Sequence, residues 1–488
     1  MAEAAYERLS AQDATFLDLE GPNLHQHIAA ATIFQAGPLR RSDGGIEIDR
    51  IRTYISDRLH ELPRYRQRLA RIPLEGHPVW VDDPHFNIAY HVRHTGIPRP
   101  GDTRQLKRLC GRILSQQLDR GRPLWELWVV EGLDGGERFA LVQKVHHCMI
   151  DGLSGVDLMA VLMSIDRDAK PDPAPAWEPR VVPNSVDLLT TEIGRRVGTT
   201  FDVLSWVPDA LRAPASLWDQ VREGAAAMGE ALAAGLRSTS ETPLNQPLGP
   251  HRRFDWLEMD LAEVKLVKDS LGGTVNDVVL ATVAGALRRF LKLRRLEVDD
   301  LVIRANVPVS IRRRDQRGTL GNRIALFMPE LPVAEAEPVE RLARVREAMA
   351  RLKESRQAVG AEVLAAVSEW TSATLLSLAV RVATRGRPYN LVVTNVPGPQ
   401  LPLYLLGARM DTCYPVVNLL ENQALGVALF SYDQRLYWGF TADWELVPDL
   451  HEFVRAIEIS FQELRSAAQA ASGARQTEPP GAQAPEAS

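Results

Sequence analysis

The sequence predicts an α/β protein that is divided into two lobes. Strand-like apolar runs alternate with helix-like segments from Glu7 to about Ile165, and the same alternation returns from Phe254 to Phe461. Between these regions, five prolines interrupt residues 166–184, which is typical of an exposed linker. The chain also has 488 residues, more than one hydrophobic core usually organises. We therefore expect one α/β layer before the linker and a second one after it.

The first lobe is predicted over residues 1–170. Its strand-like runs include Ile28–Phe34 and Phe139–Val145, and its clearest helical spacing of apolar residues lies at Arg104–Leu118. Residues 171–250 follow as a crossover that is rich in proline and then in alanine with helical spacing. Within this crossover, the tryptophans at positions 206 and 218 are candidates for contact with lipid.

The second lobe is predicted over residues 251–466. It contains a helical pattern at Val278–Leu291 and a short apolar strand at Leu391–Val393. The tail at residues 467–488 consists mainly of Ala, Gln, Pro and Glu and has almost no large apolar side chains. Such a segment cannot offset the entropy lost on ordering, so we expect the tail to be disordered.

Composition excludes several classes of protein. The 57 basic and 62 acidic side chains give a net charge of -5 without a basic stripe, so we expect no nucleic-acid partner. Three cysteines form neither a disulfide framework nor a paired zinc spacing, which favours a reducing compartment. Met1–Ser10 lacks the layout of a secretion signal, and no apolar run is long enough to span a bilayer. We therefore expect a cytoplasmic protein whose contact with the inner membrane surface or with lipid droplets is peripheral.

The segment that carries chemical information runs from His146 to Gly152 and reads HHCMIDG. It follows a strand-like run and precedes a helix that begins with a capping-box spacing, so the two histidines lie where a strand ends. A histidine there can be held by the sheet while its ring reaches a cleft, and its near-neutral pKa suits removal of a proton from an alcohol. We take His147 as the candidate general base and His146 as its support.

Asp151 and Gly152 complete this segment. Glycine permits a tight turn, and an aspartate four residues after the base can brace the loop through an ion pair rather than transfer a proton. The pattern alone leaves another interpretation open, because adjacent histidines are more often structural than catalytic. A zinc site is the weakest interpretation, since neighbouring residues of a strand point to opposite faces, and we predict no metal.

The spacing HHxxxDG over residues 146–152 resembles the signature of the bacterial wax ester synthase/acyl-CoA:diacylglycerol acyltransferases. Four further segments are similar to motifs of that family, namely LDRGRPLW at 118–125, ND at 276–277, PVSIR at 308–312 and TNVPGP at 394–399. The resemblance extends from Leu9 to about Phe461. One departure is that His25 and His27 stand where the family usually has a Met-His pair, which bears on the choice of acceptor.

The resemblance implies that residues of these motifs bind substrate: Asn276, Asp277, Ser310, Arg312, Asn395 and Gly398. Plainer interpretations stay open for some of them. Thr274 and Asp277 have a capping-box spacing that would only start a helix, and the prolines around Gly398 suit a rigid turn. Arg312 begins a basic run that would suit the phosphates of coenzyme A, and it is also our hypothetical ion-pair partner for Asp151.

The resemblance also implies a fold and a reaction. The lobes would adopt the fold of chloramphenicol acetyltransferase and the condensation domains, with a tunnel between them and His147 at its midpoint. The expected activity is transfer of a long-chain acyl group to diacylglycerol, with acyl-CoA as co-substrate and no cofactor. A fatty alcohol acceptor, an acyl donor on a carrier protein and a non-catalytic lipid-binding relative are the alternatives.

Overall fold

The computed structural model describes residues 6–149, 158–169, 174–192, 239–310, 324–354 and 388–477. The strands before the crossover are β1 Glu7–Arg8, β2 His27–Gln35, β3 Gln67–Arg71, β4 Pro78–Asp82, β5 Val92–Gly96, β6 Trp125–Leu133 and β7 Arg138–His146. The helices there are α1 Ala11–Leu19, α2 Ile48–Arg58, α3 Ile88–His91, α4 Thr103–Leu114 and α5 Leu158–Leu162.

The strands after the crossover are β8 Arg252–Asp260, β9 Ile303–Ser310, β10 Ile324–Phe327, β11 Glu330–Leu331, β12 Leu391–Pro397, β13 Tyr404–Leu405, β14 Ala408–Val416, β15 Leu425–Tyr432 and β16 Arg435–Asp443. The helices are α6 Leu261–Leu271, α7 Val275–Leu293, α8 Pro338–Glu354 and α9 Leu450–Thr477. The alternation of strands and helices predicted from the sequence is confirmed in both halves of the chain.

The first sheet holds the histidine segment. Its strand order is β13-β14-β2-β7-β6-β5, and β7 lies between β2 and β6, antiparallel to both. Almost every residue of β7 is buried, and its last residue, His146, lies opposite His27 of β2. Because partners on both sides hold β7, the residue that follows it starts from a fixed backbone position. The predicted strands at 28–34 and 139–145 are thus confirmed, each one residue longer at both ends.

The predicted helix at residues 104–118 is shorter than expected, because α4 ends at Leu114. The buried Lys144 of β7 donates from Nζ to the carbonyl oxygens of Ile113 at 3.1 Å and Gln116 at 3.0 Å. These bonds satisfy carbonyl groups that the end of a helix leaves without partners. The helical spacing of apolar residues continues past Leu114, but the helix ends there, where Lys144 of β7 binds the carbonyl groups of Ile113 and Gln116.

The second sheet has the order β10-β9-β12-β15-β16-β8, and β11 pairs with β9. Helix α7 is buried along most of its length and packs against α9, so its apolar residues surround the helix instead of forming one stripe. Phe290 of α7 and Phe440 of β16 both pack on Phe453 of α9. These side chains belong to one buried cluster that forms the core of the second lobe.

The second half of the chain contributes two strands to the first sheet. Strands β13 and β14 come from the second half, yet β14 pairs antiparallel with β2 in the first sheet. The core of the first lobe accordingly includes Phe254, Trp256 and Tyr414. The predicted lobe boundaries, residues 1–170 and 251–466, do not include this contribution of strands. The reason is that the sequence of a strand does not specify which strand it pairs with.

Two glycines allow the lobes to approach closely. A Cβ atom on Gly439 of β16 would lie 1.7 Å from the carbonyl oxygen of Pro415 in β14. A Cβ atom on Gly111 of α4 would lie 2.8 Å from the carbonyl oxygen of Arg252 in β8. The Cβ atom of any other residue at these positions would collide with a backbone carbonyl group, so β16 could not stay as close to β14, nor α4 as close to β8.

The crossover is partly described. Residues 174–184 and 239–250 contain neither helix nor strand, as predicted, and residues 185–192 are helical. The helical residues place Leu188 in a cluster with Ile72, which follows β3, and Val79 of β4, and these strands belong to a small sheet with the order β1-β4-β3. The predicted lipid-contact positions 206 and 218 lie outside the described residues.

The prediction of a disordered tail from residue 467 is wrong for its first part. Helix α9 continues to Thr477, Ala468 is fully buried, and the hydroxyl groups of Ser270 and Ser472 lie 2.8 Å apart. Alanine has the highest helix propensity, and extending an existing helix costs far less than starting one. Residues 478–488 lie outside the described residues.

Among the described residues, no single helix combines the length and apolar composition needed to cross a membrane. Helices α6 and α7, which are bent by 96° relative to each other, meet the requirement only when they are taken together. Helix α7 belongs to the core of the second lobe.

Candidate active site

The site is built around the turn that follows β7. His146 ends the strand, and His147–Met149 form one 3-10 turn, so the predicted junction between strand and loop is confirmed. The backbone N–H of His147 donates to the carbonyl oxygen of Gln26 at 2.7 Å. The residue that carries the candidate base is therefore fixed to the neighbouring strand through its own backbone.

The His147 ring is partly exposed and stacks on Phe16 of α1, with 4.0 Å between the ring centroids and 25° between the planes. Its Nδ1 is buried and has no hydrogen-bond partner among the described residues. Burial, together with the neighbouring His146 ring, lowers the pKa of His147 to about 4. The ring is therefore neutral near pH 7 and can accept a proton.

The His146 ring has a structural environment. It is buried, and its Nδ1 accepts a hydrogen bond of 3.2 Å from the backbone N–H of Cys148. Its Nε2 lies 3.6 Å from Oε2 of Glu20. Because Nδ1 is an acceptor, the proton of the neutral ring lies on Nε2, towards the carboxylate. His146 thus braces the turn that carries His147, in the supporting position that the sequence predicted.

Glu20, which directly follows α1, is a residue that the sequence did not single out. Its side chain lies 3.2 Å from Nε2 of His27 and accepts hydrogen bonds from Nε and Nη2 of Arg120 at 3.1 and 2.7 Å. Burial alone would raise the pKa of Glu20, but its contacts with His146 and His27 hold that pKa well below its ordinary value. The carboxylate is therefore ionised near neutral pH.

The structure also adds Gln26 and Asn418 to the site. The Gln26 side chain accepts a 2.9 Å hydrogen bond from Asn418, a residue of the second half of the chain. No local pattern marks either residue, because each acts through a partner that is distant in sequence. Arg120 lies in the LDRGRPLW segment, so a motif signal existed for it although that signal assigned no role.

His25 and His27 lie inside the protein. Both are buried, their rings are 5.4 Å apart, and the His27 ring meets the His146 ring edge to face at 5.7 Å. Burial lowers the pKa of His27 to about 3. The expectation that these two positions bear on the choice of acceptor stays a prediction, and the contacts described here join His27 to the supports of the base.

Asn276 and Asp277 lie in the first turn of α7. Thr274 and Asp277 form a complete capping box, in which the Asp277 carboxylate accepts from the Thr274 backbone N–H at 2.8 Å and Thr274 Oγ1 accepts from the Asp277 N–H at 3.2 Å. Asp277 therefore starts the helix, as its spacing indicated. One of its oxygens, Oδ1, is buried without a hydrogen-bond partner among the described residues, while Asn276 is partly exposed.

Asn395 and Gly398 lie at the end of β12. The strand runs on to Pro397, beyond the predicted end at Val393. The Gly398 N–H donates to the carbonyl oxygen of Ser431 at 2.9 Å, and a Cβ atom at Gly398 would lie 2.3 Å from the Phe430 ring. Glycine is required here by close packing, and its amide is already bonded within the protein.

The remaining predicted residues divide between described and undescribed parts of the chain. Ser310 is the last residue of β9, opposite Ile324, whereas Asp151, Gly152 and Arg312 lie outside the described residues. The tunnel and the predicted ion pair between Asp151 and Arg312 therefore stay predictions. The structure brings His146 and His147 together, but no hydrogen bond or ion pair among the described residues joins them to residues 276, 277, 395 or 398.

The described part of the chain offers little for a metal or a deep ligand site away from the histidine turn. No group of three or more His, Cys, Asp or Glu side chains within it is arranged to hold a metal ion. An open surface pocket of 680 Å³ is lined by residues such as Pro38, Arg50 and Leu406. None of the residues that line this pocket belongs to the histidine turn.

Comparisons with known proteins place the chain in one family over most of its length. Residues 9–279 match the model of the wax ester synthase/diacylglycerol acyltransferase catalytic domain, and residues 320–465 match that of the WS/DGAT C-terminal domain. A Mycobacterium tuberculosis (strain CDC 1551) protein named as a diacylglycerol O-acyltransferase is 34% identical over 453 residues, which cover 92% of this chain and 88% of the relative.

Solved structures show the same fold. The wax ester synthase/diacylglycerol acyltransferase from Marinobacter aquaeolei VT8 is 26% identical, with a TM-score of 0.67 over 95% of this chain and 100% of that one. The starter condensation domain of rhizomide synthetase is 14% identical, with a TM-score of 0.56 over 96% and 95% of the two chains. The predicted likeness to condensation domains is therefore confirmed for the fold.

Proposed function

This chain belongs to the wax ester synthase/diacylglycerol acyltransferase family, and we propose that it transfers a long-chain acyl group from acyl-CoA to diacylglycerol with His147 as general base. The observation that carries the proposal is the His147 ring itself. It is neutral near pH 7, partly exposed and fixed at the end of a buried strand. Because the base is held in place before the substrate binds, the residues that support it do not have to rearrange when it accepts the proton of an acceptor hydroxyl group.

The proposed reaction follows from that placement. Because Nδ1 of His147 is buried, Nε2 accepts the proton of the acceptor hydroxyl while the oxygen attacks the thioester carbonyl carbon. The tetrahedral intermediate then breaks its C–S bond, and the proton on Nε2 passes to the departing coenzyme A thiolate. The products are an ester and a free thiol, and the histidine returns to its starting state. The Gly398 amide does not serve as a donor to the oxyanion in this reaction, because it already donates to the Ser431 carbonyl oxygen.

Release of free thiol provides the test. Purified protein is incubated with palmitoyl-CoA and with diacylglycerol, hexadecanol or no acceptor, and the lipid products are separated. We expect thiol release that depends on diacylglycerol, and its loss in His147→Ala. A preference for hexadecanol would make the enzyme a wax ester synthase, and no release with any acceptor from acyl-CoA or an acylated carrier protein would indicate a lipid-binding relative.

We also propose peripheral contact with the inner membrane surface or with lipid droplets of the cytoplasm, through α4. Arg104, Arg108 and Arg112 recur every four residues on its exposed face, and none forms an ion pair with another described residue. Anionic lipid headgroups attract such a row of cations. Flotation with phosphatidylglycerol vesicles should be weakened by Arg104→Gln with Arg108→Gln. The matched change of Arg351 and Lys353 on α8 should leave it intact, and equal losses would refute the assignment.

A further inference from the structure

Glu20 is a buried carboxylate that the proposed chemistry does not use. Only 4% of its side chain is exposed, and it meets two imidazole rings and one guanidinium group. Burying a charge costs desolvation free energy unless hydrogen bonds and ion pairs with several partners offset it. Three contacts of Glu20, with His146, Arg120 and the Gln26 backbone, are informative because each leads to a different support of His147.

The first connection runs through His146. The Glu20 carboxylate lies 3.6 Å from Nε2 of His146, so the neutral ring keeps its proton on that side. Nδ1 is then free to accept the N–H of Cys148, which is the second residue of the turn that begins at His147. The charge of Glu20 thereby selects the His146 tautomer that holds this turn closed.

The second connection runs through Gln26. Oε1 of Glu20 accepts the Gln26 backbone N–H at 3.4 Å, and the Gln26 carbonyl oxygen accepts the His147 backbone N–H at 2.7 Å. Both bonds belong to the same residue, just before β2 begins. Moving the carboxylate would therefore tilt the acceptor to which the candidate base is anchored.

The third connection runs through Arg120. Its guanidinium group binds Glu20 at 2.7 Å and also donates to the carbonyl oxygen of Leu17 at 2.8 Å. Leu17 lies in the last two turns of α1, directly after Phe16, whose ring stacks on the His147 ring. The ion pair thus holds the aromatic surface on which the base rests.

We propose that ionised Glu20, paired with Arg120, is a positioning residue that sets the orientation of His147 through its turn, its backbone and its stacking partner. This inference rests on the proposed role of His147 as general base. Glu20 exchanges no proton during turnover. Its carboxylate instead fixes the positions of the turn, the backbone anchor and the stacking partner of His147. The ring is therefore already oriented towards the acceptor hydroxyl group when the substrate binds.

Glu20→Gln tests the proposal, since it keeps the size of the side chain and removes the charge. We expect kcat to fall by about 10², the scale of a misplaced catalytic group, with KM and the thermal unfolding midpoint nearly unchanged. Should Glu20→Gln fail to fold, Glu20→Asp keeps the charge but shortens the reach, and kcat should fall by roughly tenfold. Wild-type kcat in a folded variant of either kind would overturn the proposal.

A double variant separates positioning from general destabilisation. If Glu20 acts through His147, then Glu20→Gln should change nothing further in a His147→Ala background, because the two effects do not add. A purely structural role would lower the residual rate again and would overturn the proposal. Glu137→Gln is the control, because it removes an ion pair on the surface with Arg40 and should leave kcat unaffected.

The single variants also distinguish this inference from the proposed function. Loss of activity in His147→Ala with full activity in Glu20→Gln would reject the positioning role alone. Full activity in His147→Ala would reject the general base, and with it both proposals.

Discussion

Two histidines of the first lobe share an environment but not a role. His147 stacks on Phe16 with centroids 4.0 Å apart, and His91 stacks on Trp125 with centroids 4.6 Å apart. Burial lowers the pKa of each ring to about 4. Neither aromatic stacking nor a shifted pKa therefore identifies the candidate base, although both features are common at active sites.

The two histidines differ in how much of each ring is exposed and in whether its nitrogen atoms are hydrogen-bonded. His91 is buried, a second ring from Phe86 covers it, and its Nδ1 donates to the carbonyl oxygen of Trp125 at 2.8 Å. His147 keeps part of its surface exposed, and its Nδ1 has no described hydrogen-bond partner. A histidine that is covered and hydrogen-bonded inside the core fixes structure, whereas one whose ring stays partly exposed can act on a substrate.

The largest effect should separate the two rings by rate. His147→Ala should lower kcat by roughly two to four orders of magnitude, because a general base is lost. His91→Phe keeps an aromatic ring in the same stack, so kcat should match that of the wild type. Thiol release from acyl-CoA at saturating acceptor measures both. Equal losses would show that the comparison does not mark the base.

Stability should separate the rings in the opposite order. His91→Ala leaves a cavity between Phe86 and Trp125 and should lower the free energy of unfolding by about 3 kcal/mol. His147→Ala removes a partly exposed ring and should cost about 1 kcal/mol or less. Chemical denaturation followed by tryptophan fluorescence gives both values. A larger loss for His147→Ala would contradict the assignment of His91 to the core.

Acid should act on both rings alike. Their pKa values of about 4 in the folded protein rise to the ordinary 6.5 on unfolding, so the unfolded chain binds more protons between these values. The free energy of unfolding is therefore fully present above that window and falls as the pH drops through it, by about 2 kcal/mol for His91 at about pH 5. His91→Phe should reduce this slope. A wild-type slope in His91→Phe, measured by chemical denaturation at several pH values, would contradict the assignment.

The smallest effect tests the stacking partners. Phe16→Leu should lower kcat by about fivefold, since an aromatic contact with the base is worth about 1 kcal/mol. Phe86→Leu removes the matching contact from His91 and should leave kcat unchanged. The kcat values of the two variants, measured with the same acceptor, decide the point. An equal decrease in both would mean that stacking acts on the lobe as a whole.

The sequence predicted the candidate base because the evidence for it is local. An apolar strand, two histidines and a capping spacing all lie within one short stretch, so the junction at residues 146–147 could be located from the residues themselves. The capping role of Asp277 was visible for the same reason. Glu20, Gln26 and Asn418 could not be found this way, because their partners lie far along the chain and only folding brings them together.

The fold shows the same limit. Strands such as β2 and β7 were predicted within one residue, since burial on one or both faces is written in their own pattern. The transfer of β14 into the first sheet was not predicted, because pairing depends on a surface supplied by another part of the chain. The helical start of the tail was missed for a related reason, since composition favoured disorder and the preceding helix was already formed.

The contribution of β14 to the first sheet matters for expressing the first half of this enzyme alone. In the intact protein β14 covers the outer edge of β2, whose sequence HIAAATIFQ is mostly apolar and contains no Asp, Glu, Lys or Arg. A fragment that stops before β13 would leave that edge bare, with its backbone groups free to recruit another copy. Such a fragment should form insoluble assemblies, and adding residues 400–420 as a separate peptide should rescue it.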